Sequence, residues 1–146
     1  MIALIQRVRK AQVEVDGSVV GEIGTGLLAL VAIQPNDSET QAQRMLQRLL
    51  GYRVFADAAG RMNRSLHETG GGLLLISQFT LAANTRKGMR PGFSTAAAPE
   101  QAEPVFARLL ELAQQAHRDV ANGRFGANMQ VSLVNDGPVT FHLQVR

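Results

Sequence analysis

The chain predicts an α+β protein, a single domain over residues 1–146 built on a mixed β-sheet with two principal helices. Three observations carry that expectation. Apolar and β-branched runs come in groups, without the regular alternation of a βαβ repeat. Only two segments space their apolar residues at helical intervals. A length of 146 residues, 45% of them hydrophobic, suits one domain that buries about 70% of its unfolded surface.

The elements follow in order. Residues 2–8 alternate loosely between apolar and polar, as a strand does. Residues 13–15 and 19–23 are β-branched runs around Asp16-Gly17-Ser18, a turn signal. Residues 27–33 are continuously apolar up to Pro35-Asn36-Asp37, which predicts a buried central strand. Ser38 and Gln41 form a capping-box pattern that opens a helix with Ala42, Met45, Leu46, Leu49 and Leu50 on its apolar face. A short strand is expected over 52–56 and a turn-rich segment over 57–64. Gly70-Gly71-Gly72 then breaks the chain, and residues 73–82 read as a long interior strand.

Residues 84–98 are mostly loop. Pro99 suits the first turn of a second helix, because its missing N–H costs nothing there. The stripe of that helix is Val105, Phe106, Leu109, Leu110 and Ala113, with Asn122-Gly123 as its stop. Two last strands, 129–134 and 139–145, flank Asn135-Asp136-Gly137-Pro138.

Composition and motifs remove whole classes of chemistry. With no cysteine the chain has no disulfide, thiolate metal site, iron–sulfur ligation or Cys nucleophile. Neither a phosphate-binding GxxxxGK[ST] nor GxGxxG, HExxH or GxSxG is present. His67, His117 and His142 lie far apart without ligand spacing. His117, late in a helix, suits a structural role, and His142 a sheet face. The opening MIALIQRVRK is too short and too alternating for a signal peptide, and no apolar run nears the ~18 residues of a membrane span. A cytoplasmic protein with no membrane partner is the expectation.

The formal charge is only +3, so placement matters more than balance. Arg7, Arg9 and Lys10 cluster near the first strand's end, and Arg86, Lys87 and Arg90 share one Gly/Pro-containing loop. Each cluster reads equally well as solvated surface or as a polyanion contact.

Two further places are odd for a purely structural protein. Ser77-Gln78-Phe79-Thr80 interrupts an apolar run; the segment is either a strand end emerging into solvent or the floor of a pocket. Gly137-Pro138 follows Asp136, so the turn signal is joined by a residue that cannot donate a strand hydrogen bond. A trans bond in a loop is the common case, whereas a cis bond would present backbone carbonyls in a rigid, unusual direction.

Three stretches resemble the D-aminoacyl-tRNA deacylase family: Ser77-Gln78-Phe79-Thr80-Leu81; Thr85-Arg86-Lys87-Gly88 with Arg90-Pro91; and residues 123–140, including Gly137-Pro138-Val139-Thr140. Gln6-Arg7-Val8 and residues 13–21 match the same pattern, so the likeness covers essentially the whole chain. It implies a deacylase-type fold and a homodimer. The implied reaction hydrolyses the ester between a D-amino acid and the 3′-terminal adenosine of tRNA, with no cofactor and no metal. By resemblance Ser77, Gln78, Phe79 and Thr80 line the site for the aminoacylated adenosine. Gly137 and Pro138 resemble a cis element that enters the partner subunit's pocket and rejects L-amino acids. Arg7 matches the arginine that steadies that element, and Phe125 and Met129 match positions at the adenine end. Asn84, where an acidic residue is common, and Gly92, where Ser is common, depart from the pattern inside the basic loop.

The chemistry suits these residues. An aminoacyl ester is already activated, so a held water and backbone N–H groups facing the developing oxyanion could supply much of the acceleration, one donor being worth ~3–4 kcal/mol. Two mechanisms stay open: Thr80 as a covalent nucleophile, or a backbone site using water and the ribose 2′-OH. Chiral choice by exclusion would admit glycine as well. The competing classes are a non-catalytic RNA-binding module, which lacks the aromatic interleaving of common RNA folds, and an amidase or esterase on the same fold.

Overall fold

The computed structural model describes residues 1–146. Its frame is a six-stranded mixed sheet in the order β2-β1-β3-β6-β7, with β8 along the remaining edge of β1. β1 (Ile2–Val15) is long enough to serve three neighbours. Its first half pairs with β3 (Gly26–Ala32), its second with β2 (Ser18–Ile23), and β8 (Gln130–Gln144) runs antiparallel to both halves. β6 (Gly72–Ser77) lies parallel to β3, and β7 (Val120–Asn122) parallel to β6. A small hairpin of β4 (Phe55–Ala56) and β5 (Met62–Arg64) sits outside the sheet.

The crossover from β3 to β6 carries α1 (Glu39–Gly51) and a one-turn helix, α2 (Leu66–Thr69). The crossover from β6 to β7 carries α3 (Pro99–Ala116). The principal helices bury Met45, Leu49, Phe106 and Leu109 against Ile5, Leu27, Ala29, Leu73 and Leu75 on one sheet face. The opposite face holds a second cluster of Val8, Val13, Leu28, Leu74 and Ile76, partly covered by Met129 just before β8 and by Val131 and Leu133 within it. Interior strands covered on both faces explain why residues 27–33 and 73–77 lack alternation. The sheet curls until its ends meet: a Cβ on Gly21 of β2 would lie 2.5 Å from the Asn122 carbonyl oxygen of β7. The result is nearly a barrel.

Four expectations about element boundaries need correction. The strand expected over 73–82 ends at Ser77, and Phe79–Ala82 is a 3-10 turn. Leu81 and Ala82 extend the apolar run because they pack on Ile2 and Ala32, not because the strand continues. The second helix stops at Ala116 instead of Asn122-Gly123. His117 caps it, 9% exposed, with Nε2 2.7 Å from the Gly71 carbonyl oxygen, and the chain then enters β7. The strand expected over 52–56 shrinks to two residues, and α2 is additional. Its Ser65 hydroxyl accepts from the Glu68 N–H while the Glu68 carboxylate accepts from the Ser65 N–H, a capping box that sequence inspection passed over.

The fourth correction concerns the C-terminal strands. Residues 129–134 and 139–145 are two ends of one strand, since both pair with β1 in the same direction. Asn135 faces Val8 and Thr140 faces Gln6, so five steps along β8 lie opposite two along β1. Asn135-Asp136-Gly137-Pro138 is therefore a bulge of three surplus residues, not a hairpin.

Candidate active site

A cleft of about 800 Å³ opens at the C-terminal end of β3 and β6. One wall is Ser77 and the start of the 3-10 turn, the other is the segment 125–129, and the N-terminus of α3 closes one end. Ser77, Gln78, Phe79, Phe125 and Met129 all line it. The structure thus gathers these five positions although nearly fifty residues separate the two walls.

The wall is shaped by the way β6 stops. The Gln78 N–H still donates to Val31 of β3, at 2.7 Å, and the backbone then turns sharply. The Leu81 N–H donates back to the Gln78 carbonyl, so the first N–H groups of the turn, those of Phe79 and Thr80, have no acceptor within it. Thr80 is exposed, and its Oγ1 accepts from Gln78 Nε2 at 2.6 Å. It makes no hydrogen bond to a carboxylate or imidazole and does not line the cleft. On the far wall Phe125 is half-buried, its ring 6.1 Å from that of Phe106 on α3.

No ionisable side chain lines the cleft; Ser77, Gln78 and Asn128 are its polar side chains. The carboxyl groups held below their ordinary pKa lie elsewhere and serve the fold. Glu39 is lowered first by a hydrogen bond from Arg108, Asp57 by one from Asn63, and Glu68 by the Ser65 N–H.

Arg7, Gly137 and Pro138 form a separate constellation, none of them lining the cleft of their own chain. The Gly137–Pro138 bond is cis. Both residues stand exposed on the bulge, which is held from within and from outside. Within it, Asn135 Oδ1 accepts from the Val139 N–H at 2.7 Å, and Asn135 Nδ2 donates to Thr140 Oγ1 at 2.9 Å. From outside, Arg7 Nε donates to the Asp136 carbonyl at 2.9 Å while its Nη1 donates to the Val54 carbonyl at 2.7 Å. Gly137 has φ +145, and a Cβ there would meet Val139 Cγ2 at 2.6 Å. A side chain is therefore both strained and blocked at that position.

Sequence reasoning missed Asn135 as the clamp of the bulge and Phe93 as part of the cleft. Asn at the start of a bulge was legible in principle, because its amide can imitate a backbone pair. Phe93 gave no signal, since it sits in a loop without periodicity.

Three comparisons bear on the whole chain. A model of the D-Tyr-tRNA(Tyr) deacylase family matches residues 4–144. Curated proteins named D-aminoacyl-tRNA deacylase are similar throughout. The protein from Alkalilimnicola ehrlichii is 64% identical over 146 residues, covering 100% of this chain and 97% of its own. The one from Stenotrophomonas maltophilia (strain K279a) is 65% identical over 145 residues and 99% of each chain. Among solved structures, one titled c-Myc DNA Unwinding Element Binding Protein superposes with a TM-score of 0.95 at 37% identity, covering 100% of this chain and 99% of that one. Another, described as a probable eukaryotic D-amino acid tRNA deacylase, has a TM-score of 0.82 at 16% identity over 97% and 98%, and speaks to the fold alone. With a family model spanning nearly all residues and relatives near 64% identity, the chain belongs to the D-Tyr-tRNA(Tyr) deacylase family.

Proposed function

We propose that this deacylase hydrolyses the ester of D-aminoacyl-tRNA in the cleft between the Ser77–Thr80 turn and the 125–129 segment, releasing the free D-amino acid and tRNA. The observation that carries the reading is a cleft with two opposed walls and no ionisable side chain. That lining suits an activated ester, whose hydrolysis needs orientation and oxyanion stabilisation more than a strong base. The N–H of Phe79, which lines the cleft, faces the developing oxyanion, Gln78 and Ser77 orient the reacting end, and Phe125 and Met129 hold the terminal adenine. An attacking water bonds to the ester carbon and gives its proton to the ribose 2′-OH, which passes its own to the 3′ oxygen as the C–O ester bond breaks. Thr80 serves the turn and is not a nucleophile, because no base hydrogen-bonds to its hydroxyl.

Chirality is read by exclusion. The Gly137-Pro138 bulge of one subunit enters the cleft of the other in a two-fold homodimer, which supplies two equivalent sites. Its rigid backbone accepts a hydrogen on one side of the α-carbon and clashes with a side chain there. Glycyl-tRNA therefore also reacts. The clamps by Arg7 and Asn135 support this role, since a steric filter must not yield. The work is quality control in translation and belongs in the cytoplasm. No helix is long and apolar enough to cross a membrane.

The test is release of D-tyrosine from D-tyrosyl-tRNA ending in adenosine or in 2′-deoxyadenosine. The 2′-deoxy substrate is expected to react at least about 100-fold more slowly, the scale of a lost proton-transfer group. Equal rates would remove the 2′-OH from the mechanism. No release from either substrate would leave a nucleic-acid-binding module, the alternative that the c-Myc element-binding neighbour brings to mind.

A further inference from the structure

Phe93 takes no part in the proposed chemistry, yet it occupies a distinctive place. It lines the cleft while 42% exposed, beside Phe79, which is 56% exposed. The ring centroids are 5.1 Å apart and the planes tilted by 59°. A globular domain does not gain from leaving two neighbouring phenyl rings in water, so the pair reads as a binding surface.

The backbone adds a second, independent feature. Asn84 and Gly92 exchange both backbone hydrogen bonds, at 2.7 and 3.0 Å, and pinch off the loop between them. One side of the pinch leads back through the 3-10 turn to Phe79, and the other continues directly into Phe93. The pinched loop carries Arg86, Lys87 and Arg90, all exposed and without a carboxylate within 4 Å. Fully exposed Met89 stands between them. Unpaired cations next to exposed aromatic rings are the signature of single-stranded nucleic-acid binding: the backbone follows the charge and a base lies on a ring.

We propose that Phe93, supported by Phe79, is a stacking ledge for the base that precedes the terminal adenosine, and that Arg86, Lys87 and Arg90 engage the phosphates of that single-stranded end. The inference rests on the reading of the cleft as the site of the aminoacylated adenosine. It adds a subsite one nucleotide away. It also gives the basic loop a definite ligand despite Asn84 and Gly92: they pair with each other at its base, so the changes leave its cations in place.

The experiment compares three D-tyrosyl esters: of adenosine, of the dinucleotide cytidylyl-adenosine, and of full tRNA. Wild type is expected to show a higher kcat/KM on the dinucleotide ester than on the adenosine ester. In Phe93→Ala the loss on the dinucleotide ester should exceed that on the adenosine ester by about tenfold or more, the scale of one base stacked on an aromatic ring. Phe93→Leu, which keeps the apolar contact to Phe79, should show the same selective loss, so a packing defect cannot mimic the result. An Arg86→Ala, Lys87→Ala, Arg90→Ala variant should lose activity on tRNA and flatten its dependence on salt. Equal losses on all three esters would overturn the ledge. So would a change in oligomeric state caused by Phe93→Ala, which would assign the rings to subunit packing. Wild type inactive on every ester would instead defeat the deacylase reading itself, and the ledge with it.

Discussion

At residue scale, the question that matters most is what Thr80 does. Its hydroxyl sits beside the cleft and accepts a 2.6 Å hydrogen bond from the Gln78 amide. An amide donor lowers the electron density on that oxygen and cannot take its proton, so the contact is the opposite of nucleophile activation. Thr80→Ala is therefore expected to retain kcat for D-tyrosyl-tRNA within about tenfold, with Gln78 free to shift. A loss of about 1000-fold or more would make Thr80 the nucleophile. The same scale explains Arg7. By charge it reads only as one of the Arg7, Arg9, Lys10 cluster, and its steadying role comes from the family resemblance alone, because nothing in Gln6-Arg7-Val8 announces that its guanidinium ties residue 136 to residue 54. A contact that joins three distant segments leaves no local pattern.

Element by element, legibility followed the physics of each signal. The helix opening at Ser38 could be read because a capping box is local: the Ser38 N–H donates to Gln41 Oε1 at 2.9 Å, as the spacing implies. The central strand was legible because a strand buried on both faces cannot alternate. Ends were harder. Nothing in Phe79-Thr80-Leu81-Ala82 distinguishes a strand from a 3-10 turn that packs its apolar residues on Ile2 and Ala32. Asp-Gly-Pro chemistry marks a reversal equally well in a hairpin and in a bulge, and only the register against β1 separates the two. The candidate residues share that ambiguity: Ser77 ends β6, whereas Phe79 and Thr80 lie on the turn beyond it instead of within one continuous strand.

The connections between elements also set a pH response. Glu39 of α1 accepts from Arg108 of α3 at 2.8 Å, Glu68 caps α2, and Asp57 accepts from Asn63 Nδ2 at 2.8 Å. Each carboxyl is held below its ordinary pKa, so each binds its proton more weakly folded than unfolded. The stability they add is present above the ordinary carboxylate range and is lost as pH falls through the lowered folded values. Urea unfolding midpoints should decline as pH falls below about 4. A Glu39→Gln, Glu68→Gln double variant should decline less. An equal decline in the variant would place the acid sensitivity elsewhere.

At the scale of the whole molecule, two constellations sit apart on one chain. The cleft collects Ser77, Gln78, Phe79, Phe125 and Met129, and the clamped bulge leaves Gly137 and Pro138 exposed and outside the lining of that cleft. On the proposed reading each is incomplete alone. The cleft supplies the chemistry and lacks chirality, whereas the bulge supplies a rigid shape and lacks anything to filter. A two-fold dimer resolves both at once, which is why the central claim concerns discrimination as much as hydrolysis. The most direct test is paired release of D-tyrosine and L-tyrosine from the same charged tRNA by the purified protein. The account expects rapid loss of the D ester while the L ester is spared. Equal loss of both would contradict it, leaving a hydrolase in which Gly137 and Pro138 select nothing.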